Sequence, residues 1–392
     1  MTRPNALVLD GDEVKLRLQA ERTASKSAVH VDWVRFTVIR RNCPAPSLDD
    51  LFPLAGGDAA AWDRLTELDR VLRDTPDCEH GAAAQAMELA QEVASALGSE
   101  FAVGPEARKG HDFYKFRLSI ERNGVECGWV GFQASSDSPR QRAQAKTLHV
   151  NLYGAACTFA ERGWNERIAA IVDQRAGTLT RCDLALDFFD GFHGGMQRVY
   201  DDYKAGLMDV GGKRLRSNMV GQWANDCERS FYFGSKEAGK QTNVYEKGDQ
   251  LYGADANSPW IRIELRYGNK LRELPSDMLR RPADFFACAS DWHAAMLREI
   301  EWAPEPAPAA VPCRGRLPIE TVKAEATRAM NWLKRTAGPV VGLALRELPE
   351  WALLQLMSNP QKPGRLARFS AAEISAAITD VLAVEGHSPA FT

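Results

Sequence analysis

The chain has 392 residues, 45% of them hydrophobic, and a formal net charge of −3 from 49 basic and 52 acidic residues. That length allows two domains and that apolar fraction can fill a sizeable core, while the charge balance excludes a globally basic, nucleic-acid-coating protein, so any DNA contact has to come from local patches. The eight cysteines (Cys43, Cys78, Cys127, Cys157, Cys182, Cys227, Cys288 and Cys313) form no CxxC pair, which excludes a zinc ribbon or a disulfide scaffold and makes the cytoplasm the expected compartment. No apolar run reaches about eighteen residues and the N-terminus has no continuous apolar stretch, so neither a transmembrane helix nor a secretory signal is expected.

Residues 1–28 read as a polar N-terminal arm or a short helix. Val31–Ile39 is β-branched and aromatic and reads as a strand. Residues 60–98 are rich in Ala, Leu and Glu at helical spacing and read as a helical insert. Phe113–Arg122 and Val125–Phe132 flank Asn123-Gly124, the pair preferred where both central residues of a hairpin turn need φ > 0. Thr147–Tyr153 is an alternating strand and Ala155–Ala170 a helix. Arg181–Phe188 is a strand, followed by a Gly-rich turn and a helix near Met196–Gly206. Three further strands are expected at Ser230–Gly234, Thr242–Lys247 and Trp260–Tyr267. Residues 301–318 form a Pro/Ala-rich linker, and residues 319–392 a helical C-terminal unit. Residues 29–300 would then be one α+β domain built on a mostly antiparallel sheet with flanking helices.

Successive strand side chains point to opposite faces. Arg181, Asp183, Ala185 and Asp187 therefore share one face, as do Trp260, Arg262, Glu264 and Arg266 on a second strand and Asn243, Tyr245 and Lys247 on a third. Asp183 and Asp187 lie roughly 13 Å apart along an extended strand and cannot both grip one ion without a bend. Each polar face is open to a plainer reading: an ion-paired solvated surface for the charged residues, packing for the tyrosine. Together they can build one polar site with carboxylates, a tyrosine, a lysine and arginines, which suits metal-assisted attack on a phosphodiester. A neutral phenol is a weak nucleophile, and a nearby cation such as Lys247 would favour the phenolate. Arginine suits phosphate because its planar fork donates two parallel hydrogen bonds. His149-Val150-Asn151 is a partial likeness to a His-hydrophobe-His metal motif. Local basic groups that can hold a DNA backbone are Arg140, Arg142 and Lys146; Lys213, Arg214 and Arg216; Lys236 and Lys240; and Lys362, Arg365 and Arg368. No P-loop, no GxGxxG after a strand and no HExxH occurs, which leaves ATPase, dinucleotide and zincin readings without support.

The order of these pieces resembles the replication initiation factor family of rolling-circle replicons. The nearer likeness is to the RstA-like initiators of filamentous phages, the more distant one to staphylococcal plasmid initiators. The residues that carry it are Val31-Asp32-Trp33, Thr180 to Asp187 (TRCDLALD), Phe231 to Lys236 (FYFGSK), Val244 to Gly248 (VYEKG) and Trp260 to Arg266 (WIRIELR). They cover roughly residues 30–290.

The resemblance implies a metal-dependent, site-specific nickase and strand transferase. Its tyrosine attacks the origin, stays joined to the 5′ end and leaves a 3′-OH for priming. Tyr245 would be the nucleophile, assisted by Lys247. Asp183, Asp187, Glu264 and His149 would hold Mg²⁺ or Mn²⁺. Arg181, Lys236, Arg262, Arg266, Arg140, Arg142 and Lys146 would bind DNA. The expected partners are origin DNA, a host helicase and polymerase, and a second copy of the chain, with no membrane. A DNA-binding regulator without nicking activity and a relaxase-like mobilisation protein are the alternatives. Two departures stand out: Asp249-Gln250 follows the Tyr-x-Lys element where plasmid members carry a glutamate, and the His-hydrophobe-His motif is incomplete.

Overall fold

The computed structural model describes residues 10–43, 80–136, 138–300, 308–315, 318–358 and 371–384, with 361, 362, 364, 366, 367, 369 and 370 between the last two stretches. Residues 1–9, 60–79, 301–307 and 316–317, parts of the expected arm, insert and linker, lie outside the described residues. The chain divides into two units, Met1–Arg314 and Gly315–Thr392. No described helix is long and apolar enough to cross a membrane.

The first unit contains helix α1 (Gly11–Ser25), strand β1 (Val29–Ile39) and helix α2 (His80–Leu97), then β2 (Phe101–Lys109), β3 (Tyr114–Arg122) and β4 (Val125–Ala134). Helix α3 (Pro139–Ala145) and β5 (Thr147–Leu152) follow, then α4 (Gly154–Phe159), α5 (Trp164–Gln174), β6 (Thr178–Phe188) and α6 (Gly195–Ala205). Next come β7 (Ser217–Gln222), β8 (Cys227–Ser235), β9 (Lys240–Glu246), α7 (Lys247–Tyr252) and β10 (Ile261–Gly268), and three short helices, α8 (Asp277–Arg280), α9 (Pro282–Ala287) and α10 (Asp291–Arg298). The strands form one ten-stranded sheet in the order β2-β3-β4-β5-β1-β6-β10-β9-β8-β7. Every pairing in it is antiparallel, which confirms the expected α+β class.

One face of the sheet is apolar and covered. Val34, Phe36, Leu184, Leu186, Ile263, Leu265, Val244, Phe231 and Phe233 are buried in one core. The alternation that hides these side chains turns the residue between each pair to the opposite face, where the polar residues collect. In β1 the register shifts between Val31 and Trp33. Val31 and Val34 both stay in the core, so Asp32 and Trp33 are both left on the polar face, which strict alternation does not allow.

Several expectations change in detail. The polar arm contributes α1, capped by the Asp10 side chain and packed into the core through Val14 and Leu18. The helix expected over 155–170 is two helices, interrupted before Gly163 at φ 80°. Strands β2 and β7 were not foreseen; β2 is mostly exposed and β7 wholly so, so neither has an apolar alternation to read. The hairpin turn at Asn123 (φ 52°) and Gly124 (φ 75°) is as expected. Part of the linker is tied to the first unit, because Ala309 N–H donates to Asp284 Oδ1 and Val311 N–H to the Asp284 carbonyl.

The second unit is helical: α11 (Pro318–Trp332), a π-helical turn at Leu333–Ala337, α12 (Gly338–Glu347), α13 (Glu350–Met357) and α14 (Ala371–Val384). Its own small core is Val322, Ala326, Leu366, Phe369 and Ala377.

Candidate active site

Strand register builds the site. Across β6, β10, β9 and β8 one row reads Asp187–Arg262–Tyr245–Ser230, and the next reads Ala185–Glu264–Asn243–Tyr232. A third row reads Asp183–Arg266–Gln241–Gly234. Tyr245, Glu264, Asn243, Tyr232, Arg266 and Lys236 line an open cleft of about 440 Å³ on the polar face. Among the described residues, no hydrogen bond reaches the Tyr245 hydroxyl, and Lys247 Nζ stands 5.8 Å from the centre of its ring.

A buried ionic knot lies beneath this cleft. Arg262 is 2% exposed. It donates Nε–H to Asp187 Oδ1 at 2.8 Å, an Nη2 hydrogen to Asp187 Oδ2 at 3.0 Å and an Nη1 hydrogen to Asp32 Oδ1 at 2.7 Å. Trp260 Nε1–H adds a bond of 2.6 Å to Asp187 Oδ1. Burial alone would push both carboxyls up; the Arg262 guanidinium and neighbouring His30 override it and hold Asp32 and Asp187 below the ordinary range. With its charge already matched by two carboxylates and almost none of its surface exposed, Arg262 is poorly placed to meet a phosphate and acts as a structural cation rather than the expected DNA contact. The site residue that sequence reasoning left unassigned is Asp32. Its only signal was its place in the Val31-Asp32-Trp33 element.

The four expected metal ligands are not brought together. Asp187 is consumed by Arg262 and Trp260. Asp183 is fully buried and pairs with Arg181 and Arg266. His149 lies on β5, three strands across from Glu264, and its row meets β6 at Thr178, seven residues from Ala185 in the row of Glu264, so the two are separated by roughly 14 Å across the strands and roughly 23 Å along them. It hydrogen-bonds Thr37 Oγ1 at 2.9 Å and lies between the rings of Tyr114 and Trp129, and burial lowers its pKa to about 4. Among the described residues no three His, Cys, Asp or Glu side chains converge as a ligand group. The residues present therefore do not fit the expected ion. Glu264 is the exception among the four: no hydrogen bond reaches its carboxyl among the described residues. Burial, then the charges of Asp32 and Asp183, push it up to about 7.

Lys247 also differs from expectation. It opens helix α7 instead of continuing the strand, is buried, and donates to Gln250 Oε1 at 2.8 Å. Burial, and repulsion from Arg262, lower its pKa to about 8. The Tyr245 phenol is pushed well above its ordinary value by burial, and the cation that opposes this is Arg262 rather than Lys247. Gly248, directly after Lys247, fits because any Cβ there would come within 2.3 Å of Ser258 Oγ.

The expected DNA contacts divide. Lys236 is exposed and Arg266 partly exposed, and both border the cleft. Arg181 is tied to Asp183 and stacks over Trp33 at 4.4 Å; with Lys236, Arg266 and His149 it borders a neighbouring cleft of about 500 Å³. Lys146 is exposed just ahead of β5. The side chains of Arg140 and Arg142, and Arg365 and Arg368 of the tail, lie outside the described residues.

Residues 177–348 match the model of the family described as Replication initiation factor. Among solved structures the chain is similar to a rolling circle replication initiator protein from Geobacillus stearothermophilus, at 17% identity over 72% of this chain and 92% of that one, with a TM-score of 0.40. A likeness that distant carries no argument about the site. No curated protein matches the chain. The matched segment takes in β6 to β10, the strands that carry Asp183, Tyr245 and Glu264. Over residues 177–348, a little under half of its length, this chain is thus similar to the replication initiation factor family.

Proposed function

We propose that the protein starts rolling-circle replication by nicking one strand at its origin, with Tyr245 as the nucleophile. The observation that carries this reading is the Tyr245 phenol, free of hydrogen bonds among the described residues, in an open polar cleft shared with Glu264, Arg266 and Lys236. The Tyr245 oxygen attacks phosphorus, the bond to the 3′ oxygen breaks, and the 5′ phosphate stays on the tyrosine. Because the phenol is raised by burial, it enters the reaction protonated and needs an acceptor. Glu264, with a carboxyl raised to about 7 on the same cleft wall, is the group suited to take that proton. The departing 3′ oxygen takes a proton in turn. Lys236 and Arg266 offset the charge on the phosphate. No step of this reading runs through a divalent ion, since among the described residues no three of the expected ligand types converge and, of the four expected ligands, Glu264 alone is left without a hydrogen bond. Retained phosphodiester energy allows the strand to be rejoined without ATP.

The test is a supercoiled plasmid carrying the replicon that encodes the protein, incubated with protein and either Mg²⁺ or Mn²⁺. A nicked circle with a covalent protein–DNA band, lost in Tyr245→Phe, is the expected result. Binding without nick or adduct in the wild type would instead favour a DNA-binding regulator.

A further inference from the structure

The polar face does not end at the cleft. The row Glu264–Asn243–Tyr232 continues to Asn218 on the edge strand β7. At about 4.8 Å per strand the row runs roughly 14 Å from Glu264 to the rim of the sheet. Tyr232 stands in the middle of it. Among the described residues its ring meets no other aromatic ring and no hydrogen bond reaches its hydroxyl, although most aromatic rings of this unit are packed against one another. Beside it, Asn243 Oδ1 is shut off from solvent without a hydrogen-bond partner.

Charge is split along the strands. At one end Arg266, Lys236 and Arg216 gather; the Arg216 carbonyl accepts from Gly234 N–H, two residues from Lys236. Arg216 and Lys236 are exposed and enter no ion pair among the described residues. At the other end stand Glu228, Glu246 and Asp249, with Glu246 bound to Arg229. A polyanion is therefore drawn to one side of Tyr232 and repelled from the other.

We propose that this strip is the track for single-stranded DNA next to the scissile phosphate. A base stacks on Tyr232, its polar edge reaches Asn218, and the backbone lies along Lys236 and Arg216. The inference rests on the nicking reading for its substrate and shares Lys236 with it, but adds Tyr232, Asn218 and Arg216, which take no part in the nicking step. An unpartnered ring on an open polar face, flanked on one side by unpaired cations, is the arrangement by which single strands are held without reading sequence.

The test measures fluorescence anisotropy of labelled oligo-dT with the full chain in a Tyr245→Phe background, so that cleavage plays no part. Tyr232→Ala is expected to weaken binding about tenfold and Tyr232→Phe by less than about twofold. Joint replacement of Arg216 and Lys236 by Ala is expected to reduce the slope of log affinity against log salt by about 1.4. Circular dichroism of each variant checks that it is folded. Binding of oligo-dT unchanged by Tyr232→Ala, or no binding at all, overturns the track. Nicking by the protein with native Tyr245 is measured in parallel. Loss of an adduct there sinks the Tyr245 reading and leaves the binding comparison standing, whereas normal nicking beside unchanged Tyr232→Ala binding sinks the track alone.

Discussion

Glu264 shows how little a residue's type says about its state. In the sequence it stands between Arg262 and Arg266, the pattern of a neutralised surface carboxylate. In the fold Arg262 turns to Asp187 and Asp32, Arg266 leans to Asp183, and among the described residues Glu264 is left with one ion-pair contact, 3.6 Å to Arg266. Its raised pKa has a thermodynamic sign. Between about pH 4.5 and about pH 7 the folded chain keeps a proton that the unfolded chain has released, so this group's contribution falls as pH rises across that window. Thermal melts should show Glu264→Gln gaining stability over the wild type from about pH 4.5 to about pH 7. A constant difference would mean that Glu264 is not raised. In the nicking assay the wild-type rate should climb through about pH 7, and Glu264→Gln should lose about a hundredfold.

At the scale of elements the decisive event is antiparallel register. Strands β6, β9 and β10 are each legible from alternation, and so is the sharing of a face by Asp183 with Asp187, by Arg262 with Glu264 and by Asn243 with Tyr245. What alternation within one strand does not contain is the partner directly opposite. Pairing sets Arg262 against Asp187 on one side and Tyr245 on the other, and that single alignment converts an expected phosphate-binding arginine into a buried structural cation. Removing one partner of such a pair leaves an uncompensated charge in the core. Arg262→Met is therefore expected to destabilise the first unit by about 3–5 kcal/mol, read as a lowered urea midpoint. A loss below about 1 kcal/mol would show that the knot is not buried in solution.

For the whole molecule, each of the two units has a hydrophobic core of its own. A chain ending at Arg314 should unfold cooperatively, with a midpoint within about 4 °C of the matching transition in the full chain. Loss of cooperativity would show that the first unit depends on residues 315–392. The α+β class, most strands of the sheet, the Asn123-Gly124 turn and the helical C-terminal unit follow from the sequence alone, because apolar periodicity and turn chemistry are local properties of neighbouring residues. The resemblance in ordered motifs is likewise a property of the chain read end to end. Tertiary structure alone decided which charges neutralise one another, that His149 lies three strands from Glu264, that Asp32 joins Arg262 through an irregularity in β1, and that a Tyr232 unpartnered among the described residues lines the cleft. Those outcomes depend on register and burial between residues as many as 230 positions apart, as with Asp32 and Arg262, and no local pattern encodes the distance across a sheet.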